Sequence, residues 1–128
     1  MKKIVSLISV CLAFCLAVNS CDKLLGFGGE PTIKEDGNTL ILTYYYDGMS
    51  TCENIATFDD ADLCIKYIEK ETFKKKSDCD EEWEYGPSSN PKYTREGNTI
   101  IYDNTDEFKG KTKQEIRAYF EKWLEDEE

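Results

Sequence analysis

Polar and apolar positions alternate with different periods along the chain, and each period predicts an element. Ile4 to Val18 is apolar except for Ser6 and Ser9, with Lys2 and Lys3 ahead of it. The run is shorter than the roughly 20 apolar residues that a spanning helix needs. Thr39 to Tyr46 (TLILTYYY) is rich in β-branched and aromatic residues and predicts a strand. Asp47-Gly48 follows at once, a signal for a two-residue hairpin turn. The partner strand then runs from Met49 to about Ala56. In that register Tyr46 faces Met49, Tyr44 faces Thr51 and Leu40 faces Ile55. Three consecutive tyrosines must show phenols on both faces of the sheet.

Helical spacing follows. Thr57 or Asp59 is placed to cap, Asp59, Asp60 and Asp62 suit a positive helix start, and Lys74, Lys75 and Lys76 suit its negative end. Ala61, Cys64, Ile65, Ile68 and Thr72 fall on one face of that predicted helix. Residues 77–91 turn polar and read as a loop, most clearly at Gly86-Pro87-Ser88-Ser89-Asn90-Pro91. A second hairpin pairs Lys92 to Arg95 with Thr99 to Asp103 around Glu96-Gly97-Asn98. The final helix has the strongest signals. Thr112 and Glu115 form a capping box. Ile116, Tyr119, Phe120, Trp123 and Leu124 make one apolar stripe behind it.

Asp36-Gly37-Asn38-Thr39-Leu40-Ile41 echoes Glu96-Gly97-Asn98-Thr99-Ile100-Ile101. Each stands before a predicted helix, so the echo admits a duplicated ββα unit as well as convergent turn chemistry. The expected fold is α+β: an antiparallel sheet of two hairpins with two helices on one face. Expected boundaries are a leader over 1–20, a tether over 21–38 and one small domain over 39–128. Gly26, Gly28, Gly29 and Pro31 are the signal for the tether.

The start of the chain carries a further reading. Positive residues, an apolar run and then Val18-Asn19-Ser20-Cys21 match the three regions of a signal peptide. With a small residue just before the cysteine, this segment resembles the signal of bacterial lipoproteins. That resemblance covers the leader alone. It implies cleavage before Cys21, acyl chains on that cysteine, and a place in the cell envelope facing the periplasm or the exterior. Val18 and Ser20 also suit ordinary signal peptidase, which would release a soluble protein, and an uncleaved anchor is the third alternative.

Cysteine parity bears on the same question. Cys11 and Cys15 lie in the leader, so Cys21, Cys52, Cys64 and Cys79 remain after cleavage. With Cys21 lipidated, three thiols are left for one bridge and one free cysteine. The expected bridge joins Cys52 to Cys79, with Cys64 reduced on the apolar helix face.

Charge and composition narrow the function. Lys2 and Lys3 are the only charges before Cys21, so the rest holds 14 basic and 26 acidic residues, a net −12. Such a surface repels nucleic acid and favours cationic partners or plain solubility. The chain has no histidine, which removes the commonest general base and metal ligand. No phosphate loop is present, and the cysteine spacings lack a zinc pair. No catalytic residue, metal or cofactor is expected. Asp78, Asp80, Glu82 and Glu84 lack the glycine turn of a calcium loop. The candidate binding surface is aromatic: Tyr45 with Trp83, Tyr85 and Tyr93. Expected partners are a membrane, through the lipid, and a protein. A carbohydrate ligand and a decoy role towards cationic molecules are the alternatives.

Overall fold

The computed structural model describes residues 28–126, so the leader and Cys21 lie outside the described residues. The fold is α+β, with six antiparallel strands and three helices among the described residues. The strands are β1 (Thr32–Asp36), β2 (Thr39–Tyr46), β3 (Ser50–Phe58), β4 (Cys64–Phe73), β5 (Tyr93–Glu96) and β6 (Thr99–Asp103). Helix α1 (Lys76–Tyr85) lies between β4 and β5, followed by a 3₁₀ turn at Pro87–Ser89. The short α2 (Thr105–Phe108) and the longer α3 (Lys113–Asp126) close the chain. The sheet order is β1-β2-β3-β4-β6-β5.

Alternation sorts the sheet into two faces. Ser50, Cys52, Asn54, Ala56 and Phe58 are all buried on β3, while the residues between them are half-buried. Pairing carries this face across the sheet to Leu40, Leu42 and Tyr44 on β2 and to Tyr67, Glu69, Glu71 and Phe73 on β4. It continues to Ile100 and Tyr102 on β6. Two apolar clusters form on it. Ile116 and Phe120 of α3 and Phe108 of α2 pack with Leu40, Leu42, Ala56, Phe58, Cys64 and Tyr67. Cys79 of α1 packs with Phe73 and Ile100, and Trp83 and Tyr93 close over them.

The capping box of α3 is formed: the Thr112 N–H donates to Glu115 Oε1 at 3.0 Å, and the Glu115 N–H to Thr112 Oγ1 at 3.1 Å. Of its expected stripe, Ile116 and Phe120 are buried. Tyr119 remains 47 % exposed.

Thr32–Asp36, expected to be tether, is a strand along β2. Its two-residue turn has Gly37 at φ 59, and Gly97 at φ 59 makes the same turn between β5 and β6. A positive φ at the first turn position requires glycine for the type that matches strand twist.

The helix expected after Asp59 is instead strand β4. Asp59 caps a turn there: its Oδ1 accepts from the Ala61 and Leu63 N–H groups at 2.9 and 3.0 Å. β4 then bonds to β3 on one side and β6 on the other. Tertiary pairing outweighs a helical spacing that rests largely on the β-branched Ile65, Ile68 and Thr72. The duplicated ββα unit goes with that helix, because β3 and β4 follow the first Gly-Asn hairpin.

The loop expected over residues 77–91 contains α1. Cys79 and Trp83, four apart, face the sheet, while Glu81 and Glu82 between them are exposed and Asp80 pairs with Arg95 of β5.

The first hairpin turns one residue later than expected. The Met49 N–H donates to the Tyr46 carbonyl at 2.9 Å, and Gly48 has φ 72 while Asp47 stays at negative φ. The pairs are therefore Tyr46–Ser50, Tyr44–Cys52 and Leu40–Ala56. Shifting pairing by one residue exchanges the faces of the partner strand, which puts Cys52 rather than Thr51 beside Tyr44.

Cys52, Cys64 and Cys79 are all buried free thiols in the structure, so the expected Cys52–Cys79 bridge is not formed there. With β4 a strand, Cys79 sits instead in α1 against Phe73 and Ile100. Burial pushes the Cys52 thiol up to about 12, with the Glu71 carboxylate adding to the effect.

Two outcomes test this architecture. Phe120 is fully buried, so Phe120→Ala should cost about 3–5 kcal/mol. Each kcal/mol moves the Tm of a domain this size by roughly 4–8 °C, which thermal melting resolves. Alkylation followed by mass mapping should label Cys52, Cys64 and Cys79 only after denaturation. A linked Cys52–Cys79 peptide would contradict the arrangement of thiols.

Candidate functional site

Between the two apolar clusters, a strip of polar side chains crosses the same face of the sheet. Ser50, Cys52 and Asn54 come from β3, and Glu71 and Glu69 stand opposite Cys52 and Asn54 on β4. Tyr44 pairs with Cys52 on one side, and Tyr102 pairs with Glu69 on the other. A strand places residues two apart on one face about 7 Å from each other, so Glu69 and Glu71 stand side by side. Helix α1 covers the cluster at one end of this strip, and the α2–α3 pair covers the cluster at the other.

The hydrogen bonds inside it are few and well aimed. The Ser50 hydroxyl donates to Glu71 Oε2 at 2.6 Å. The Asn104 amide donates to Glu69 Oε2 at 2.9 Å. Asn104 is itself buried and held by its N–H to the Tyr67 carbonyl at 2.9 Å. Neither donor is a cation. The charges that bear on these carboxylates are negative: Glu107 of α2 acts on Glu69, and Glu82 of α1 acts on Glu71. Burial, foremost, and then these neighbours hold both carboxyls above the ordinary range, against the lowering effect of their hydrogen bonds.

Phenols surround the pair. Tyr44 stacks obliquely on Trp123 at 4.4 Å and meets Tyr46 edge-on at 6.1 Å. Tyr93 and Tyr102 stack at 4.5 Å. Tyr67 lies flat on Phe108 at 3.8 Å. Its ring is fully buried, and its hydroxyl is buried without a hydrogen bond of acceptable geometry. Glu69, Tyr119, Tyr44 and the Asn54 amide lie close enough to influence that hydroxyl. Burial, with Glu69 next, raises its pKa strongly.

The expected aromatic surface is divided. Trp83 and Tyr93 come together, lining a shallow cleft with Lys76, Asp80, Thr94, Arg95 and Gly97. Asp80 joins its two cations there, at 2.9 Å from Lys76 and 2.6 Å from Arg95. Hydrogen bonds from Lys76 and Arg95 hold its carboxyl below the usual range. Tyr85 is 89 % exposed at the end of α1. Tyr45 pairs with Thr51, on the face opposite Tyr44 and Cys52.

Glu69, Glu71, Tyr67 and Tyr102 were missed as site residues. For the three on β4 the signal is the alternation Tyr67-x-Glu69-x-Glu71-x-Phe73, which a helical period hides. No group of residues suited to holding a metal occurs among the described residues. No helix among them is long and apolar enough to cross a membrane. Comparison with protein-family models, curated proteins and solved structures found no match.

The raised carboxyls have a pH consequence of definite sign. Folding lifts both pKa values above the ordinary 4.5, so the folded chain binds more protons in the window between the two values. Stability from these groups is full below the unfolded value and is lost as pH rises through the folded one. Glu69→Gln and Glu71→Gln keep the acceptor oxygen and remove the charge. Their Tm advantage over wild type should widen as pH rises from 4.5 to neutrality. A gap independent of pH would mean that the two carboxyls titrate normally.

Proposed function

We propose that this chain is a small acidic lipoprotein of the bacterial cell envelope, held to a membrane by acyl chains on Cys21 and serving as a non-catalytic, protein-binding accessory. Support for the anchor is the leader itself, with its apolar run ending at Ser20-Cys21. Several acyl chains hold a protein firmly where one is marginal, since each buried methylene contributes about 0.8 kcal/mol.

The binding role rests on one observation: two half-buried carboxylates set next to other carboxylates, on a strip walled by tyrosines. Burying charge without an opposite charge destabilises a fold. A small domain gains nothing in stability from Glu69 and Glu71 where apolar residues could join its two clusters. Tyrosine and tryptophan are enriched where proteins meet, and Tyr44, Tyr46, Tyr93 and Tyr102 surround this strip.

A catalytic role has less support. An acid–base pair needs environments that push two pKa values apart, whereas Glu69 and Glu71 are shifted in the same direction by the same cause. A carbohydrate ligand is the second reading, favoured by the Trp83–Tyr93 cleft with its Asp80–Arg95 pair. Nucleic acid fits neither site, given the net charge.

Cys21→Ala should abolish fatty-acid labelling and release the protein from membranes. Tyr102→Ala should reduce cross-linking to envelope proteins, while Tyr45→Ala on the opposite face should leave it intact. Loss of cross-linking with Tyr45→Ala alone would move the binding surface to that other face.

A further inference from the structure

We infer that the free edge of β5 takes up an extended segment of a partner protein as a further antiparallel strand, with an acidic side chain of that segment opposite Arg95 and over the cleft beside α1. The inference shares the protein-binding reading proposed above, but it places that binding at a sheet edge and uses neither Glu69 nor Glu71.

Sheet order leaves β5 at one end, bonded to β6 alone. The Asp103 N–H donates to the Lys92 carbonyl at 2.9 Å, which fixes the alternation along this hairpin. In an antiparallel ladder every second residue exchanges both main-chain bonds with its partner. Thr94 and Glu96 therefore turn their main-chain groups to Ile101 and Thr99, while Tyr93 and Arg95 turn theirs outward. The Tyr93 N–H is taken by the Asn90 carbonyl at 3.0 Å. What remains along the edge is the Tyr93 carbonyl and both main-chain groups of Arg95. Such an edge is a template for another strand, and recognition by strand addition draws its affinity from these groups.

Clefts lie on both sides of the edge, and Thr94 lines each of them. One, of about 630 Å³, has Lys76, Asp80 and Trp83 of α1 as one wall and Tyr93 and Arg95 of β5 as the other. The second, of about 660 Å³, has Ile68, Ile101, Pro91 and Lys92 in its lining, on the sheet face away from α1. Side chains of an added strand alternate between the two faces, so they alternate between the two clefts. The residue opposite Arg95 shares its face and falls over the α1 cleft. Its neighbours fall beside Thr94 and Pro91, where the lining favours apolar side chains.

Charge selects the residue opposite Arg95. The chain has 26 acidic and 16 basic residues, yet the α1 cleft is lined by Lys76 and Arg95 with Asp80 as its one acid. Both cations share that carboxylate, at 2.9 and 2.6 Å, so a positive charge is left over. Arg95 donates through Nε to the Gly97 carbonyl at 2.9 Å and through Nη2 to Asp80. These bonds hold the guanidinium in place, and its remaining N–H groups are donors for a second carboxylate. A glutamate on the added strand meets them and Lys76, while its methylenes pack on Trp83 and Tyr93.

The test uses full-length protein in detergent and the blocked peptide Ac-Thr-Val-Glu-Val-Thr-NH2, whose glutamate is placed to face Arg95. Hydrogen exchange followed by NMR should show the Arg95 amide slowing when peptide is added, while the Thr94 amide, already bonded to β6, stays as it was. N-methylation of the glutamate removes the donor to the Arg95 carbonyl and should weaken binding by about tenfold or more. N-methylation of either valine, whose amide faces away from β5, should leave affinity unchanged. Lys76→Gln should weaken binding by about two- to fivefold. Equal effects of methylation at glutamate and valine would mean charge attraction without strand pairing, and would overturn the inference. An Arg95 amide protected in the protein alone, and more so at higher concentration, would place a second copy on the edge and would also overturn it. Absence of peptide binding, with Tyr102-dependent cross-linking to envelope proteins intact, would overturn the inference and leave the protein-binding role standing.

Discussion

Strand β4 is bonded along one edge to β3 and along the other to β6, and it joins the two halves of the sheet. On one side lies the meander β1-β2-β3, and on the other the hairpin β5-β6. Each half has its own apolar cluster and its own helical cover. Neither half presents a complete buried face alone. The ladder through β4 therefore makes one domain from two small cores, and its register places Glu69 and Glu71 between them.

The two halves meet β3 and β4 in matching ways. In the Gly37-Asn38 turn, the Asn38 carbonyl accepts from the Phe58 N–H at 2.8 Å. In the Gly97-Asn98 turn, the Asn98 carbonyl accepts from the Phe73 N–H at the same distance. Thr39 pairs with Thr57, and Thr99 pairs with Thr72. Each hairpin is thus pinned by its turn to the end of the neighbouring long strand, where a buried phenylalanine closes the local core. The sequence echo between Asp36–Ile41 and Glu96–Ile101 reflects this shared docking. It does not mark a repeated ββα unit, since the two hairpins sit in different chain order relative to their partner strands.

Where local chemistry decides structure, the sequence was legible. The capping box at Thr112 and Glu115 forms, and the tyrosine strand and the second hairpin lie close to their expected places. β1 was missed: Gly37-Asn38 carries the same turn signal as Gly97-Asn98, but the glycines just before the segment drew it into the tether. β4 was a different case. Cys64, Ile65, Ile68 and Thr72 do fall at helical spacing, yet the fold buries Tyr67 and Phe73 along with Cys64, and Ile65 is 47 % exposed. Only pairing on both edges resolves that ambiguity, and pairing is not local. The site followed the strand: with β4 read as a helix, Glu69 and Glu71 could not be seen to share a face with Tyr44 and Tyr102. The first hairpin shows how small the decisive difference is. Asp47 keeps a negative φ, the loop gains one residue, and Cys52 turns inward beside Tyr44.

The polar strip also explains why the core is divided. An apolar sheet face of this width would join both clusters into one, at a gain of about 25 cal/mol for each Å² of apolar surface removed from water. The chain instead places Ser50, Asn54, Glu69 and Glu71 at the junction, and it supplies Asn104 from the segment before α2 to hold one of the carboxylates. Asn104 is not a free-standing addition. Its own N–H is bound to the Tyr67 carbonyl, and the Thr105 hydroxyl accepts from the Tyr67 N–H at 3.1 Å. The start of α2 is therefore fastened to β4 at Tyr67, whose ring is fully buried. That fastening fixes Glu69, Asn104 and the Tyr67 ring relative to one another, so the junction between the two clusters is held by hydrogen bonds rather than by apolar packing.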